Sequence, residues 1–287
     1  MFTTTPTIDD DDLVPGSRSA VPLLYDEEDL SANHTHDRRF VWALARGLEV
    51  LRAFEHRPGP LGVGEIAVRT GLPKPTVSRL TYTLAALGYL QAVDRQGRYE
   101  PTAALLTLGY PVLASLRVQE AAYEPMRLFA DEAGAMVSLA SNDRLSMVHI
   151  ESMVPERLAH LRLVTGSRVS LAKSTMGRAY LAALDADRRG DLLERLKARH
   201  GADWPELKSR IEDGIAQVHA RGFCIVDGEW RADVRSAGAP IVTRNGGTIM
   251  AMMVGAPGYS LDVSHLETDL GPRLVQLCRT VGLLLGR

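Results

Sequence analysis

The sequence predicts an α+β protein in two parts: a small helical head closed by a β-hairpin, then a larger domain on a mostly antiparallel sheet. Three observations carry this. A length of 287 residues suits two domains. The stretch "GEIAVRTGLPKPTVSRLTYTLAALGYL" (64–90) followed by "QAVDRQGRYEP" reads as helix, turn, helix, hairpin. From about residue 135 a run of strands is followed by a run of helices, then strands and a last helix. That is the order of an α+β domain rather than of alternating β and α.

The elements follow in order. Residues 1–37 hold nine acidic residues and one arginine, including "DDDD" and "DEED", and read as a disordered acidic tail. Residues 38–104 form the head. "FVWALARGLEVLRAF" spaces Leu44, Leu48, Leu51 and Phe54 for a helix over about 40–55, stopped by "RPGP". Helices at about 63–70 and 75–88 follow, then two short strands around an Asp94–Gly97 turn. Residues 105–125 read as a helical linker. Its stripe of Leu105, Leu108, Val112 and Leu116 is interrupted by Pro111, expected to kink or end the helix and so to couple the domains. In the remainder, 126–287, strands are expected at 135–141, 145–151, 157–163, 222–227, 236–243 and 248–254. Helices are expected at about 174–184, 187–199, 205–221 and 262–285.

The spacing of Ala67, Gly71 and Val77 explains the head. Two helices crossing at a tight turn need small residues where they touch. Ala67 admits the second helix, Gly71 takes a positive φ just past the first, and Val77 packs back. Around the second helix, Val77, Leu80, Leu84 and Leu87 share one face, and Pro75, Ser78, Arg79 and Tyr82 the other. Pro75 suits a first helical turn. An outward Ser, Arg and Tyr fit a recognition helix in a major groove, and Arg79 a guanine edge or a phosphate. The hairpin adds Arg95 and Arg98, placed for phosphate or minor-groove contact. Residues 38–109 carry a net charge of +5 within a chain of net −2, a modest footprint for nucleic acid. An ordinary helical hairpin with a solvated face is the blander alternative.

Other classes find little support. No apolar run is long enough to cross a membrane, and the N-terminus lacks the pattern of a secretory signal. Cys224 and Cys278 read as reduced thiols, so a cytoplasmic location is expected, with no metal and no cofactor. An enzyme with an accessory DNA-binding domain is the rival reading, but its constellations are weak. His149 sits among apolar neighbours as a satisfied core histidine would. The carboxylates of "DGEW" (227–230) imply no paired acid–base work, and Ser174 and Thr175 lack a nearby base and suit a helix N-terminus. A ligand-free architectural DNA-binding protein would not need so large a second domain.

The stretches "ARGLEVLRAF", "LGVGEIAVRTGLPKPTVSRLTYTLAALGYL" and "GRYEPTAALLTLG" resemble the winged helix-turn-helix domain of the IclR-type bacterial transcription regulators. "LVTGSRVSLAKSTMGRAYLAAL" and "RGFCIVDGEWRADVRSAGAPIV" resemble that family's effector domain, so the likeness spans about 40–285. It implies a GAF/profilin-like ligand domain, dimers joined through the N-terminal domains, often tetramers, and no enzymatic activity. "STMGR" after "LTLGYPVL" is most similar to the branch controlling aromatic-acid catabolism. DNA-binding positions are then Lys74, Pro75, Thr76, Ser78, Arg79, Tyr82, Arg95 and Arg98. Ligand positions are Leu161, Val169, Thr175, Met176, Val226, Val234, Ser236, Met253 and Gly255. The chain departs from the family where many members carry Ser, at Pro75. It departs again at Val226, Ser236, Met253 and Gly255, where binders of small oxoacids place Asp, Cys and two serines. A less polar pocket is expected, suited to a benzoate-like or hydroxyaromatic acid rather than glyoxylate. The expected partners are an operator in double-stranded DNA, a small carboxylic acid and further copies of the chain.

Overall fold

The computed structural model describes residues 39–55, 59–94, 97–115, 118–161, 165–243 and 249–285. The expected tail lies outside them. The chain forms two compact units that part between Val112 and Leu113.

The first unit contains α1 (Trp42–Arg52), β1 (Leu61–Gly62), α2 (Val63–Thr70), α3 (Lys74–Ala86), β2 (Leu90–Ala92), β3 (Arg98–Pro101) and most of α4 (Ala104–Ser115). β3 is the middle strand, antiparallel to β1 and β2. This is a winged helix-turn-helix, with the β2–β3 hairpin as the wing. Val50, Ala53, Ile66, Ala67, Leu72 and Val77 meet in its core. Gly71 ends α2 at φ +68°, and no atom lies within 4 Å of where its Cβ would be. Glycine is needed there for the left-handed backbone and not for space.

Two faces differ from expectation. On α1 the buried positions are Ala45, Glu49 and Val50, while Leu44 and Leu48 stand exposed beside Val41. The helix turns small residues toward α3: a Cβ on Gly47 would lie 4.0 Å from Leu80 Cδ2. On α3, Leu87 is 63% exposed and Thr81 is fully buried. The helix ends at Ala86, so Leu87 falls beyond the regular stripe. The Thr81 hydroxyl donates to Val77 O at 3.0 Å, which makes its burial cheap. Pro111 does not end the linker helix either. α4 runs through it to Ser115, with Leu106, Leu108 and Tyr110 all exposed.

The second unit contains α5 (Val118–Ala133), β4 (Met136–Asp143), β5 (Ser146–Met153), β6 (Arg168–Ser170), α6 (Thr175–Ala183), α7 (Ala186–His200) and α8 (Trp204–Arg221). β7 (Cys224–Asp227), β8 (Val234–Val242), β9 (Ile249–Pro257) and α9 (Gly271–Leu285) complete it, α9 being led in by a π-helical turn at Leu266–Leu270. One six-stranded sheet has the order β6-β5-β4-β9-β8-β7, with every pair antiparallel. The strand expected at 157–163 is instead a 3-10 helix, Glu156–Leu161. Pro155 opens it, accepting from Leu158 N at 2.7 Å. Leu158 and Leu161 recur at the three-residue helical interval, whereas the alternation that suggested a strand runs through Leu161 and Leu163 in the sequence.

The sheet is buried on both faces. Val137, Leu139, Ala237, Ala239, Met252 and Val254 pack with α5 and α9. Met136, Ala140, Met147, Cys224, Ala251 and Met253 pack with α6 and α8. Burial on both sides makes the strands read as apolar runs instead of alternating ones.

Contact of α6 with its surroundings is backbone-close. A Cβ on Gly177 would fall 1.9 Å from Leu171 O, and one on Gly190 in α7 would meet nothing within 4 Å. Gly177→Ala is therefore expected to lower the unfolding free energy by about 1–3 kcal/mol, because backbone must move. Gly190→Ala should raise it by roughly 0.5–1 kcal/mol, the helix-interior preference for Ala. Urea titrations of both variants check the opposite signs.

Candidate DNA-binding surface and effector site

In the first unit, α3 sorts its residues cleanly. Val77 and Thr81 are buried while Lys74, Pro75, Ser78, Arg79 and Tyr82 are exposed, Tyr82 to 73%; Thr76 is half-buried. Pro73 is the N-cap and accepts from Thr76 N and Val77 N at 2.9 and 3.0 Å, so Pro75 in the first turn removes no needed donor. The guanidinium of Arg79 makes no hydrogen bond or ion pair with any described residue. α2 is fixed against α1 by Arg69 Nη1, which donates to Ala53 O at 2.7 Å. In the wing, Arg98 Nε donates to Asp94 Oδ2 at 2.6 Å, and its backbone N–H to Asp94 Oδ1 at 3.2 Å. Arg98 is thus exposed but paired, unlike Arg79. Arg95 lies outside the described residues.

In the second unit, the N-terminus of α6 is seated on β8. A Cβ on Gly238 would come within 2.6 Å of the Thr175 backbone, and Cys224 Sγ donates to Thr175 O at 3.5 Å. Ser174 is the N-cap: its Oγ accepts from Gly177 N at 3.1 Å and donates to Ser170 O at 2.6 Å. Its carbonyl takes Arg178 N at 3.1 Å. The N–H groups of Thr175 and Met176 find no acceptor among the described residues, although both residues are buried. Buried donors without partners at the positive end of a helix form an anion-binding geometry.

Around that end the register assembles most of the expected wall. Val226, Ser236 and Gly255 are successive cross-strand partners on β7, β8 and β9. Thr175 Oγ1 and Ser236 Oγ are 3.3 Å apart. A Cβ on Gly255 would meet Met253 Cε and Ser236 Cβ, each at 2.9 Å, so the Met253 methyl fills the space above Gly255. Val169 joins the same apolar cluster as Met176 and Met253. Val234 does not: it packs with the opposite core, against the α5 and α9 side. It opens β8, where Gly228 N donates to its carbonyl at 3.0 Å, two residues before the strand expected at 236–243. The side chain of Leu161 lies outside the described residues. Lys173 is half-buried beside His200, whose pKa it helps to lower after the larger effect of burial.

Two features were not legible. Arg178, buried in α6, donates from Nη1 and Nη2 to both oxygens of Glu229 at 2.9 and 2.5 Å, and from Nε to Ala172 O at 3.1 Å. The "DGEW" segment thus has a tethering role, holding the β7–β8 loop to α6. The pair is 51 residues apart in sequence, and no local signal announces it. His149 is only half satisfied. Its Nδ1 bonds Ser138 Oγ, which also meets Ser152 Oγ at 2.7 Å and donates to Glu151 O at 3.1 Å. Its Nε2 is buried with no partner among the described residues. Among the described residues no cluster could hold a metal ion, and no helix is long and apolar enough to cross a membrane.

Residues 43–94 match the IclR helix-turn-helix domain, and residues 110–282 match the C-terminal domain of the bacterial transcriptional regulator IclR. The chain belongs to the IclR family. It is 33% identical over 250 residues to the Pca regulon regulatory protein of Pseudomonas putida, covering 85% of this chain and 84% of that one. It is 31% identical over 243 residues to the HTH-type transcriptional regulator TsaQ1/TsaQ2 of Comamonas testosteroni, covering 84% and 87%. The crystal structure of an IclR family transcriptional regulator from Brucella abortus superposes with a TM-score of 0.75 at 41% identity, over 86% of this chain and 93% of that one. The chain is thus an IclR-family regulator with a winged helix-turn-helix domain and an effector-type domain, and the relatives named above are regulators.

Burial of His149 has a thermodynamic consequence. Desolvation lowers its pKa from 6.5 to about 4. The unfolded chain takes up this proton as the pH falls through 6.5, and the folded one only near 4, so its contribution to stability is intact above 6.5 and lost on descending through that window. Between about pH 7 and pH 5 the loss is roughly 2 kcal/mol. His149→Phe should flatten that part of the pH profile, as read by urea denaturation at both values.

Proposed function

We propose that the head, residues 38–104, grips operator DNA as part of a dimer, and that the domain at 126–287 senses a small carboxylic acid, with 105–125 as the link. The observation that carries the first half is the sorting of α3: Ser78, Arg79 and Tyr82 exposed in one row, opposite Val77 and Thr81. Arg79 is free to reach a base edge or phosphate. Val41, Leu44 and Leu48, exposed at three- and four-residue intervals on α1, give one apolar face that a second copy would cover. Tetramers, a cytoplasmic location and the absence of any enzymatic activity belong to the same reading.

The buried, unpartnered N–H groups of Thr175 and Met176 suit a carboxylate, and Thr175 Oγ1 with Ser236 Oγ adds hydroxyls at the same end. Val169, Met176, Val226 and Met253 supply an apolar wall. An aromatic acid fits this better than glyoxylate, and the relative named for the Pca regulon is in keeping with a catabolic regulator. The departures at Val226 and Met253 favour the same choice.

Gel shifts on the adjacent intergenic DNA test the head. Arg79→Ala should cost on the order of 1–3 kcal/mol of specific binding. Arg98→Ala, already paired with Asp94, should weaken all sequences alike and reduce the salt slope by about one or less. Unchanged affinity in both variants would remove the assignment. Calorimetry with benzoate, hydroxybenzoates, dicarboxylates and glyoxylate tests the sensor. Ser236→Ala should weaken the best acid by about 0.5–1.5 kcal/mol, and a preference for glyoxylate would defeat the reading of Val226 and Met253.

A further inference from the structure

The buried polar group on β4 and β5 is not used by the anion end described above. Ser138 and Met253 are cross-strand partners, and so are Met253 and Gly238. Partners across an antiparallel pair point to the same face. Gly238 is the residue on which Thr175 rests. One row across the sheet thus carries Ser138, Met253 and then the seat of α6, with Met253 between the two polar ends. His149 lies on that same face, opposite Ala140 and bonded through Nδ1 to Ser138.

The hydrogen-bond partners of Ser138 bear on what His149 presents. Glu151 O can only accept, so at 3.1 Å it takes the single Ser138 hydroxyl proton. With the Ser138 proton so placed, the bond between Ser138 and His149 uses a proton on Nδ1, and the role given to Nε2 rests on that tautomer. Burial keeps the ring neutral, so Nε2 carries a bare lone pair. That nitrogen is buried, and no described residue donates to it. Leaving such an acceptor unmet is costly, so it calls for a donor that the described residues do not supply.

We propose that His149 Nε2 accepts a hydrogen bond from a hydroxyl of the effector, making a second polar point that selects hydroxylated over unsubstituted aromatic acids. This rests on the reading of the α6 end as a carboxylate site. Ser236 is taken up at that end with Thr175, so the ring hydroxyl needs a different partner, across Met253.

The test separates the two ends of the site. In the full chain labelled with 15N-imidazole histidine, the His149 resonances should show the Nδ1-protonated tautomer. Phenol, which has no carboxylate, and 4-hydroxybenzoate and 3-hydroxybenzoate should move the bare Nε2 signal, at least one hydroxybenzoate doing so at lower concentration than phenol. Benzoate should leave it in place. By calorimetry, the preferred hydroxybenzoate should bind more tightly than benzoate, and in His149→Phe that preference should fall about fivefold while benzoate affinity holds. A proton on Nε2, or an Nε2 signal unmoved by phenol and by both hydroxybenzoates, overturns the proposal, including the case in which a buried water already fills the site. If phenol moves Nε2 while no acid binds, the carboxylate reading fails and the role of His149 stands. The measurement on the unaltered chain decides the matter even where His149→Phe folds poorly.

Discussion

The seating of α6 on β8 is the contact on which the larger unit depends. Gly238 is bare so that the Thr175 backbone can lie against the strand, and Gly177 is bare so that Leu171 O can approach the first turn. Each substitution by a larger residue would force backbone apart. Seating the helix this low brings Thr175 Oγ1 to Ser236 and buries two N–H groups that the helix itself cannot satisfy. The Arg178–Glu229 fork then fastens the β7–β8 loop to the same helix. Packing at two glycines therefore sets the position of every polar group at this end.

A sheet covered on both faces leaves little room for polar side chains. The α6 face nevertheless carries Ser138 and His149 among Met136, Ala140 and Met147, all buried. Ser138 answers three neighbours at once, namely His149, Ser152 and Glu151 O, where the β4–β5 register shifts between Leu139 and Ala140. The irregular step brings Ser138, whose partner is Ser152, into contact with His149, whose partner is Ala140. A polar group retained in such a core is either fully bonded or awaits a partner. His149 is of the second kind.

What could be read from the sequence divides by range. Ala67, Gly71 and Val77 state a local rule of steric fit within eleven residues, and the turn they announce is present. The helices expected at 174–184, 187–199 and 205–221 are likewise found within a residue or two, while α5 is expected only as part of a linker and 262–285 is broken in its first third by a π-turn. Long-range facts were not accessible. The sheet order places β9 between β4 and β8, so the partners of Ser138 and Ser236 come from strands distant in sequence. Val234, placed on the ligand wall by the resemblance alone, packs with the opposite core at the point where β8 opens. Leu44 and Leu48 announce a helix by their spacing but are exposed, and Leu87, placed on one face with Val77, is exposed while Thr81 is buried, since close helix crossings favour small side chains over apolar bulk.

The charges around the α6 end bear on the kind of anion that could rest there. Arg178 is taken up by Glu229 through two hydrogen bonds, and Arg210 lies between Glu229 at 3.4 Å and Glu206. Lys173 sits beside His200. Lys173 is then the one cation of this cluster not paired with a carboxylate among the described residues, and what draws an anion is that charge together with the helix end itself, equivalent to about half a unit charge, with two N–H donors. Such an end complements a single carboxylate better than a dianion, whose second charge would be desolvated with only the half-buried Lys173 as a counterpart. Binding energy must then come largely from the apolar wall of Val169, Met176, Val226 and Met253. On the proposed reading, the same economy of charge that disfavours small, strongly hydrated oxoacids makes the ring of an aromatic monoacid the part of the molecule that the site holds.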